Sequence, residues 1–220
     1  MTLKGALLGL ALAYGTLWGG AQVLAPAFGR VPIPCTGEPL RMQSPLFCAT
    51  LRNFVTPELR ALARDAAATV AAQYPGTVTL ALDGNLPVFD GVPLIPHLSH
   101  DDGEKLDFAF YYMDDTGTYL PGRTASPIGY FAFERVGTDV CGDTAGPMRW
   151  EMRCFEPLTR DLALEPARTA ALVRALLDDP RSGKLFLEPP LAQALGLDHP
   201  RLRFAGCGAA RHDDHIHLEL

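Results

Sequence analysis

The sequence predicts an α+β fold: a single domain with a central antiparallel sheet and flanking helices, preceded by an N-terminal apolar segment. Three observations carry this expectation. Helical stripes and alternating, strand-like runs are intermixed along the chain without a βαβ rhythm, which selects α+β over a parallel α/β sheet. A length of 220 residues suits one full hydrophobic core better than two. The composition, 48% hydrophobic with charges of both signs, is that of a globular chain.

The first segment, residues 1–29, carries no charge between Gly5 and Gly29, with Lys4 before it and Arg30 after it. It exceeds the roughly 20 residues that a membrane-spanning helix needs. The apolar core of a signal peptide is shorter, about 7–15 residues. Ala25-Pro26-Ala27 nevertheless offers small residues at the spacing of a cleavage site. A retained anchor and a cleaved signal therefore both stand, and the segment is apolar on every face, unlike a core helix. Either reading sends the rest of the chain across a bacterial-type inner membrane, to the periplasm or cell envelope. A net charge of −6 without a Lys/Arg cluster argues against nucleic acid as a partner.

Residues 30–55 begin rich in proline and polar residues and are expected to form a linker or an N-terminal wrap; residues 56–220 form the domain. Thr56-Pro57-Glu58 is a helix start, with Thr as cap and Pro at the first helical position. Leu59, Leu62, Ala63, Ala66, Val70 and Tyr74 then follow a helical period until Pro75-Gly76. Thr77 to Leu82 alternates as a strand, and Asp83-Gly84-Asn85 turns it. A second strand is expected from about Lys105 to Tyr112, with Leu106, Phe108, Phe110 and Tyr112 on one face and Asp107, Ala109 and Tyr111 on the other. A helix begins at Pro166 and stops at Asp178-Asp179-Pro180. Lys184 to Leu187 follows as a short strand, Pro190 to Leu195 as a short helix closed by Gly196, and a strand from about His215 to Leu220 ends the chain.

The five cysteines include no Cys-x-x-Cys pair, so a thiolate metal site is not expected. In an oxidising compartment they form two bridges and leave one thiol. Cys35–Cys48 and Cys141–Cys154 are the simplest local pairs, although spacing does not fix the connectivity.

Chemistry concentrates in two clusters. Asp102-Gly103 is a turn signal that lets the chain fold back and bring His100 beside Asp107. Taken alone, an aspartate alternating out of a buried stripe is more simply a solvated one. The second cluster is His212-Asp213-Asp214-His215-Ile216-His217. In a strand, His215 and His217 share one surface while Ile216 faces the core. Each imidazole can then bind a metal, or one can bind while the other acts as a base. Ile216, Leu218 and Leu220 alternate as a buried strand does, which argues against a tag-like terminus. Two imidazoles and one carboxylate leave Zn²⁺ an open position, as in catalytic zinc sites. No Gly-x-Ser-x-Gly elbow and no phosphate-binding glycine loop is present.

His-x6-Asp followed far downstream by His-x-His resembles the zinc peptidase group that includes lysostaphin-type endopeptidases and D-Ala-D-Ala carboxypeptidases. Within that group, Pro96-His97-Leu98-Ser99-His100-x-x-Gly103 and the ending His212-x-x-His215-x-His217 are similar to the penicillin-insensitive murein endopeptidases. Lys184–Leu195 resembles that family's strand-then-helix segment, and the similarity covers roughly residues 90–220. The resemblance implies zinc held by His100, Asp107 and His217. It makes His215 the catalytic histidine and His212 a second histidine that orients or stabilises a developing oxyanion. Asp214, three residues before His217, stands where related dipeptidases and carboxypeptidases place a carboxylate base, so His215 and Asp214 both remain candidates for that role. The implied partner is the peptide part of peptidoglycan, cut at a D-alanine–diamino acid cross-link or by a carboxypeptidase. Ser126–Tyr130 is expected to be a loop over the site, with Trp150 or Arg123 available to contact a substrate carboxylate. The rival reading is a non-catalytic zinc-binding envelope module, because the hedgehog signalling domain shares the metal signature.

Overall fold

A computed structural model of the chain describes residues 2–149 and 153–220, so Trp150 lies outside the described residues. Helix α1 (Leu3–Leu24) buries none of its residues and is long and apolar enough to cross a membrane. At about 1.5 Å per residue its 22 residues reach roughly 33 Å, the thickness of a bilayer's hydrocarbon core. It runs into a 3₁₀ turn (Ala25–Phe28), and the domain follows at once.

The stretch expected as a linker or an N-terminal wrap contributes strands and core residues to the domain. Strands β1 (Val31–Pro32) and β3 (Phe54–Val55) pair with each other, β2 (Leu40–Met42) joins the main sheet, and α2 (Pro45–Ala49) lies between. Ile33, Leu40, Met42 and Phe47 enter the core. The reason is apolar side chains hidden among the prolines, which have no other surface on which to leave water.

Helix α3 (Pro57–Gln73) starts as its sequence dictates, with Thr56 Oγ1 accepting from Leu59 N at 3.3 Å. Strand β4 (Thr79–Ala81) follows, then β5 (Lys105–Ala109). The strand expected through Tyr112 breaks after Ala109. Tyr112–Met113 forms β6, which leaves the main sheet to pair with β7 (Ala163–Leu164). Helix α4 (Pro166–Asp178), strand β8 (Lys184–Phe186), helix α5 (Pro189–Ala194), β9 (Leu202–Arg203) and β10 (His215–Glu219) complete the chain.

The six-stranded sheet runs β2-β4-β5-β10-β8-β9. Its centre is antiparallel, as expected, but both edge pairs, β2–β4 and β8–β9, are parallel. Leu106 and Phe108 of β5 and Ile216 and Leu218 of β10 share one core with Leu59, Leu62 and Val70 of α3 and Leu172, Val173 and Leu176 of α4. The period of two then sends Asp107, His215 and His217 to the other face of the same two strands. Asp107 is fully buried there, so the solvated reading of that residue fails.

Cys35–Cys48 is bridged as expected, but Cys141 pairs with Cys207, and Cys154 is free and exposed. The chain after Cys141 turns toward the 205–210 loop, where Gly146 N donates to Cys207 O at 2.7 Å. A bridge between distant loops thereby replaces the local pair. Two disulfides and an N-terminal apolar helix of signal or anchor type together describe an extracytoplasmic protein.

Candidate metal centre

Five of the six histidines converge on one cleft of about 340 Å³, together with Asp107. Its centre is set by strand register. His217 lies directly across from Asp107 in the antiparallel pair β10–β5, which brings His217 Nδ1 to 2.7 Å from Asp107 Oδ1. His100 arrives from the loop before β5, after the Asp102-Gly103 turn in which Glu104 N donates to Asp102 Oδ1. Its Nε2 stands 3.2 Å from His217 Nδ1 and 3.3 Å from Asp107 Oδ1. Zinc bonds of about 2.0–2.1 Å at tetrahedral angles would set donor atoms about 3.3 Å apart, so these three atoms fit such an ion. The ligand atoms of His97, His100 and Asp107, and those of His212, His215 and His217, also lie within 4.8 Å of one another in each trio. These buried His/Asp groups can hold a metal ion.

Each of the three central side chains is held at its far atom, as metal ligands usually are. His100 Nδ1 donates to Gly84 O at 2.7 Å, which leaves Nε2 to face the centre. Tyr130 Oη donates to Asp107 Oδ2 at 2.6 Å, which frees Oδ1. His217 Nε2 lies 3.5 Å from Glu219 Oε1, two residues along the same strand face. Behind them, Arg52 clamps Asp83 with two 2.6 Å bonds, and His97 Nδ1 lies 2.9 Å from Asp83 and 3.3 Å from Asp107 Oδ2.

Charge follows from this packing. Burial pushes the Asp107 carboxyl up, but the charges of His100, His215 and His217 outweigh it and hold it well below its usual range. Burial likewise opposes protonation of His217, yet Asp107 and Glu219 carry its pKa up to about 9. For Tyr130, burial and the neighbouring Asp107 and Asp83 charges all raise the pKa, so the phenol keeps its proton and stays a donor. Above the free imidazole value of about 6.5, the folded chain keeps a His217 proton that the unfolded chain releases. The contribution of His217 to metal-free stability is therefore expected to be full below about 6.5 and to decline as pH rises toward 9. Denaturant midpoints in chelator across that window test the sign, and a rising midpoint would contradict it.

The other predicted residues separate by orientation. His215 lines the cleft, with Nε2 3.8 Å from Asp107 Oδ2 and Nδ1 2.5 Å from Asp214 Oδ1. Asp214 does not line the cleft, and its second oxygen accepts from Phe131 N at 2.7 Å. Burial lowers the His215 pKa, but Asp214 and Asp107 outweigh that and raise it. His212 also lines the cleft, its ring 5.1 Å from that of His215. Its Nδ1 finds no hydrogen-bond partner among the described residues, and burial keeps the ring neutral, with a pKa well below normal. Arg149 and Glu188 form a buried bidentate pair, and Glu188 Oε1 accepts from His212 N at 3.3 Å, which fixes that segment. Arg123 is exposed and does not line the cleft.

Sequence reasoning gave no role to His97, Asp83, Arg52, Arg149, Glu188 or Glu219. Of these, only His97 carried a signal, its place three residues before His100. Tyr130 falls in the loop expected over the site and turns inward because Gly129 adopts φ +83°, where a Cβ would lie 2.3 Å from Leu82 Cδ2. Gly84 is equally constrained, since a Cβ there would meet Phe54 O at 2.9 Å. Gly84→Ala is expected to cost roughly 1–3 kcal/mol by overpacking. By shifting the carbonyl that orients His100, it should also weaken metal binding about 10–100-fold. Denaturation and zinc titration of the variant measure both effects.

No protein-family model matches the chain, and neither does any curated protein sequence. What the fold and the site define is an α+β domain with a buried His/Asp centre suited to a metal ion.

Proposed function

We propose that the chain is a zinc-dependent peptidase that hydrolyses an amide in the peptide part of bacterial peptidoglycan. One observation carries the reading: His100 Nε2, Asp107 Oδ1 and His217 Nδ1 meet within 2.7–3.3 Å at the floor of an open cleft. Nitrogen and carboxylate donors of this kind suit zinc. His100, Asp107 and His217 would hold the zinc, which when bound would supply a Lewis acid and lower the pKa of water to about 7.

The chain's own residues supply the remaining parts. His215 is the general base, with Nε2 toward the centre and Nδ1 held by Asp214. Asp214 is a positioning residue, because both of its oxygens are already engaged. His212, neutral and with one buried nitrogen unpartnered, is placed to donate to a developing oxyanion. Tyr130 keeps the Asp107 carboxylate oriented. The cross-link endopeptidase and the carboxypeptidase share this chemistry and differ in the leaving amine, which belongs to a neighbouring stem's diamino acid in the first and to a terminal D-alanine in the second.

Compartment and anchoring follow the same reading. Ala25, the first small residue of the candidate cleavage site, is buried, and its carbonyl accepts from Arg30 N at 2.9 Å. Tyr14 and Trp18 of α1 donate to the carbonyls of Ala49 and Cys48. We therefore read α1 as retained with the chain, its second half held on the domain, and place the domain in the periplasm.

Incubating the zinc-loaded chain with defined muropeptides and reading the products by mass tests the activity. Conversion of cross-linked dimers to monomers, or release of a terminal D-alanine, that stops on chelation is expected. Stoichiometric zinc with no cleavage of any muropeptide would overturn the peptidase and leave the binding module.

A further inference from the structure

We infer that the Cys141–Cys207 bridge is a redox-sensitive support for His212: the His/Asp centre forms without the bridge, but the cleft is competent only with it. The inference rests on the oxyanion role proposed for His212 and adds the covalent device that keeps that residue in place. One wall of the cleft consists of two segments without strand or α-helix, residues 139–149 and 204–210. They contribute Met148, Ala205, Ala209 and Ala210 to its lining. His100, Asp107 and His217 lie on neither segment, so the candidate ligands are placed independently of this wall.

The two segments meet backbone to backbone. Gly146 N donates to Cys207 O at 2.7 Å, and a Cβ on Gly146 would lie 3.0 Å from Gly208 Cα. The disulfide is the covalent tie across this contact. From it a run of polar contacts leads to His212. Cys141 N donates to Asp139 Oδ1 at 2.9 Å, and the same oxygen lies 3.5 Å from Arg149 Nη2. Arg149, its side chain 1% exposed, donates to both oxygens of Glu188 at 3.2 and 3.0 Å. Glu188 holds the backbone of His212 twice, accepting from His212 N at 3.3 Å and donating its own N–H to His212 O at 3.1 Å. A guanidinium is costly to bury without its partners, so Arg149 keeps this place only while the wall is closed around it. Opening the bridge frees residues 139–149 from 204–210, lets Arg149 turn to water, and removes the clamp from His212.

Access to the two sulfurs differs. Cys141 is buried, whereas Cys207 is half-buried. A thiolate of a dithiol protein therefore attacks Cys207 Sγ, forming a mixed disulfide and expelling the Cys141 thiolate, which takes up a proton. The second thiol of the dithiol then displaces Cys207 as a thiol and closes its own disulfide, so two electrons pass to the chain. Closure runs these steps backward, with an oxidised dithiol protein as the electron acceptor.

The test uses the zinc-loaded full chain with Cys154→Ser and ¹³C-labelled histidine rings, and the same chain with Cys141→Ala and Cys207→Ala added. The His212 signal is assigned by its loss in His212→Gln. Removing the bridge should shift or broaden that signal and leave one zinc per chain. It should also lower kcat on muropeptides about 10–100-fold, as for a slightly misplaced catalytic group. Because the paired substitution can prevent folding, the bridged chain is also opened with a phosphine reductant and then reoxidised. The His212 signal should move and return, with retained zinc showing that the domain stays folded and peptide mapping showing which bridge has opened. The spectrum needs no turnover, so a chain that cleaves no muropeptide would sink the peptidase reading and still report on the support of His212. A His212 signal unchanged with Cys141–Cys207 open, or one that moves only when Cys35–Cys48 opens, would overturn the inference.

Discussion

Replacing His217 with alanine is expected to remove both the metal and the activity. The imidazole supplies one of three converging donors, and the other two, His100 Nε2 and Asp107 Oδ1, remain 3.3 Å apart without it. Losing a direct ligand should exceed the 10–100-fold loss of affinity seen when only a supporting partner is removed. Lewis-acid stabilisation amounts to several kcal/mol, so kcat/KM should fall about 10³–10⁵-fold. Metal analysis after dialysis and muropeptide turnover report the two losses together. A His217→Ala protein that kept one tightly bound zinc would show that the ligand set is another one, and the trio His97, His100 and Asp107 would become the first candidate.

The second large effect separates chemistry from metal binding. His215→Ala should retain one zinc per chain and lose about 10²–10⁴-fold in kcat/KM, the usual contribution of a positioned base. Asp214→Asn should lose less, because the imidazole remains, but it should change the pH profile. Burial lowers the His215 pKa, and the Asp214 charge is foremost among the effects that raise it. Neutralising Asp214 therefore lowers that pKa, and the acid limb of kcat/KM, which rises as His215 loses its proton, should move to lower pH. An unchanged acid limb together with a loss as large as that of His215→Ala would instead make Asp214 the base.

These two predictions differ in how much of their basis can be read without a fold. The candidate trio is legible because its geometry is built from short-range rules. Alternation along a strand turns Asp107 away from Leu106 and Phe108, and His217 away from Ile216 and Leu218. A turn at Asp102-Gly103 returns His100 to the strand it precedes. The proposed division between His215 as base and Asp214 as its support is not legible in this way. Adjacent residues on a strand point to opposite faces, but which atoms of Asp214 and His215 are engaged depends on Phe131, 83 residues earlier in the chain.

The same division holds for the fold. The caps, proline starts and helical periods of α3 and α4 act over a few residues, and both helices appear where those signals stand. The early proline-rich stretch is harder to read, because its Ile33, Leu40 and Met42 lack a clear period and only a finished core shows where they go. Cys35–Cys48 closes a short loop and was within reach of spacing arguments; Cys141–Cys207 spans 66 residues and was not.

By itself, the sequence determined an exported or anchored α+β chain, its main helices and central strands, and the residue types of a buried His/Asp centre. Only the tertiary structure decided the β10–β5 register that brings His217 to Asp107 across 110 residues, the inward turn of Tyr130, the Arg149–Glu188 clamp on His212, and the partner of Cys141. The physical reason is range. Propensity, alternation and turn chemistry act between near neighbours, whereas hydrogen bonds that orient a ligand or a base join groups whose proximity exists only after the core has closed.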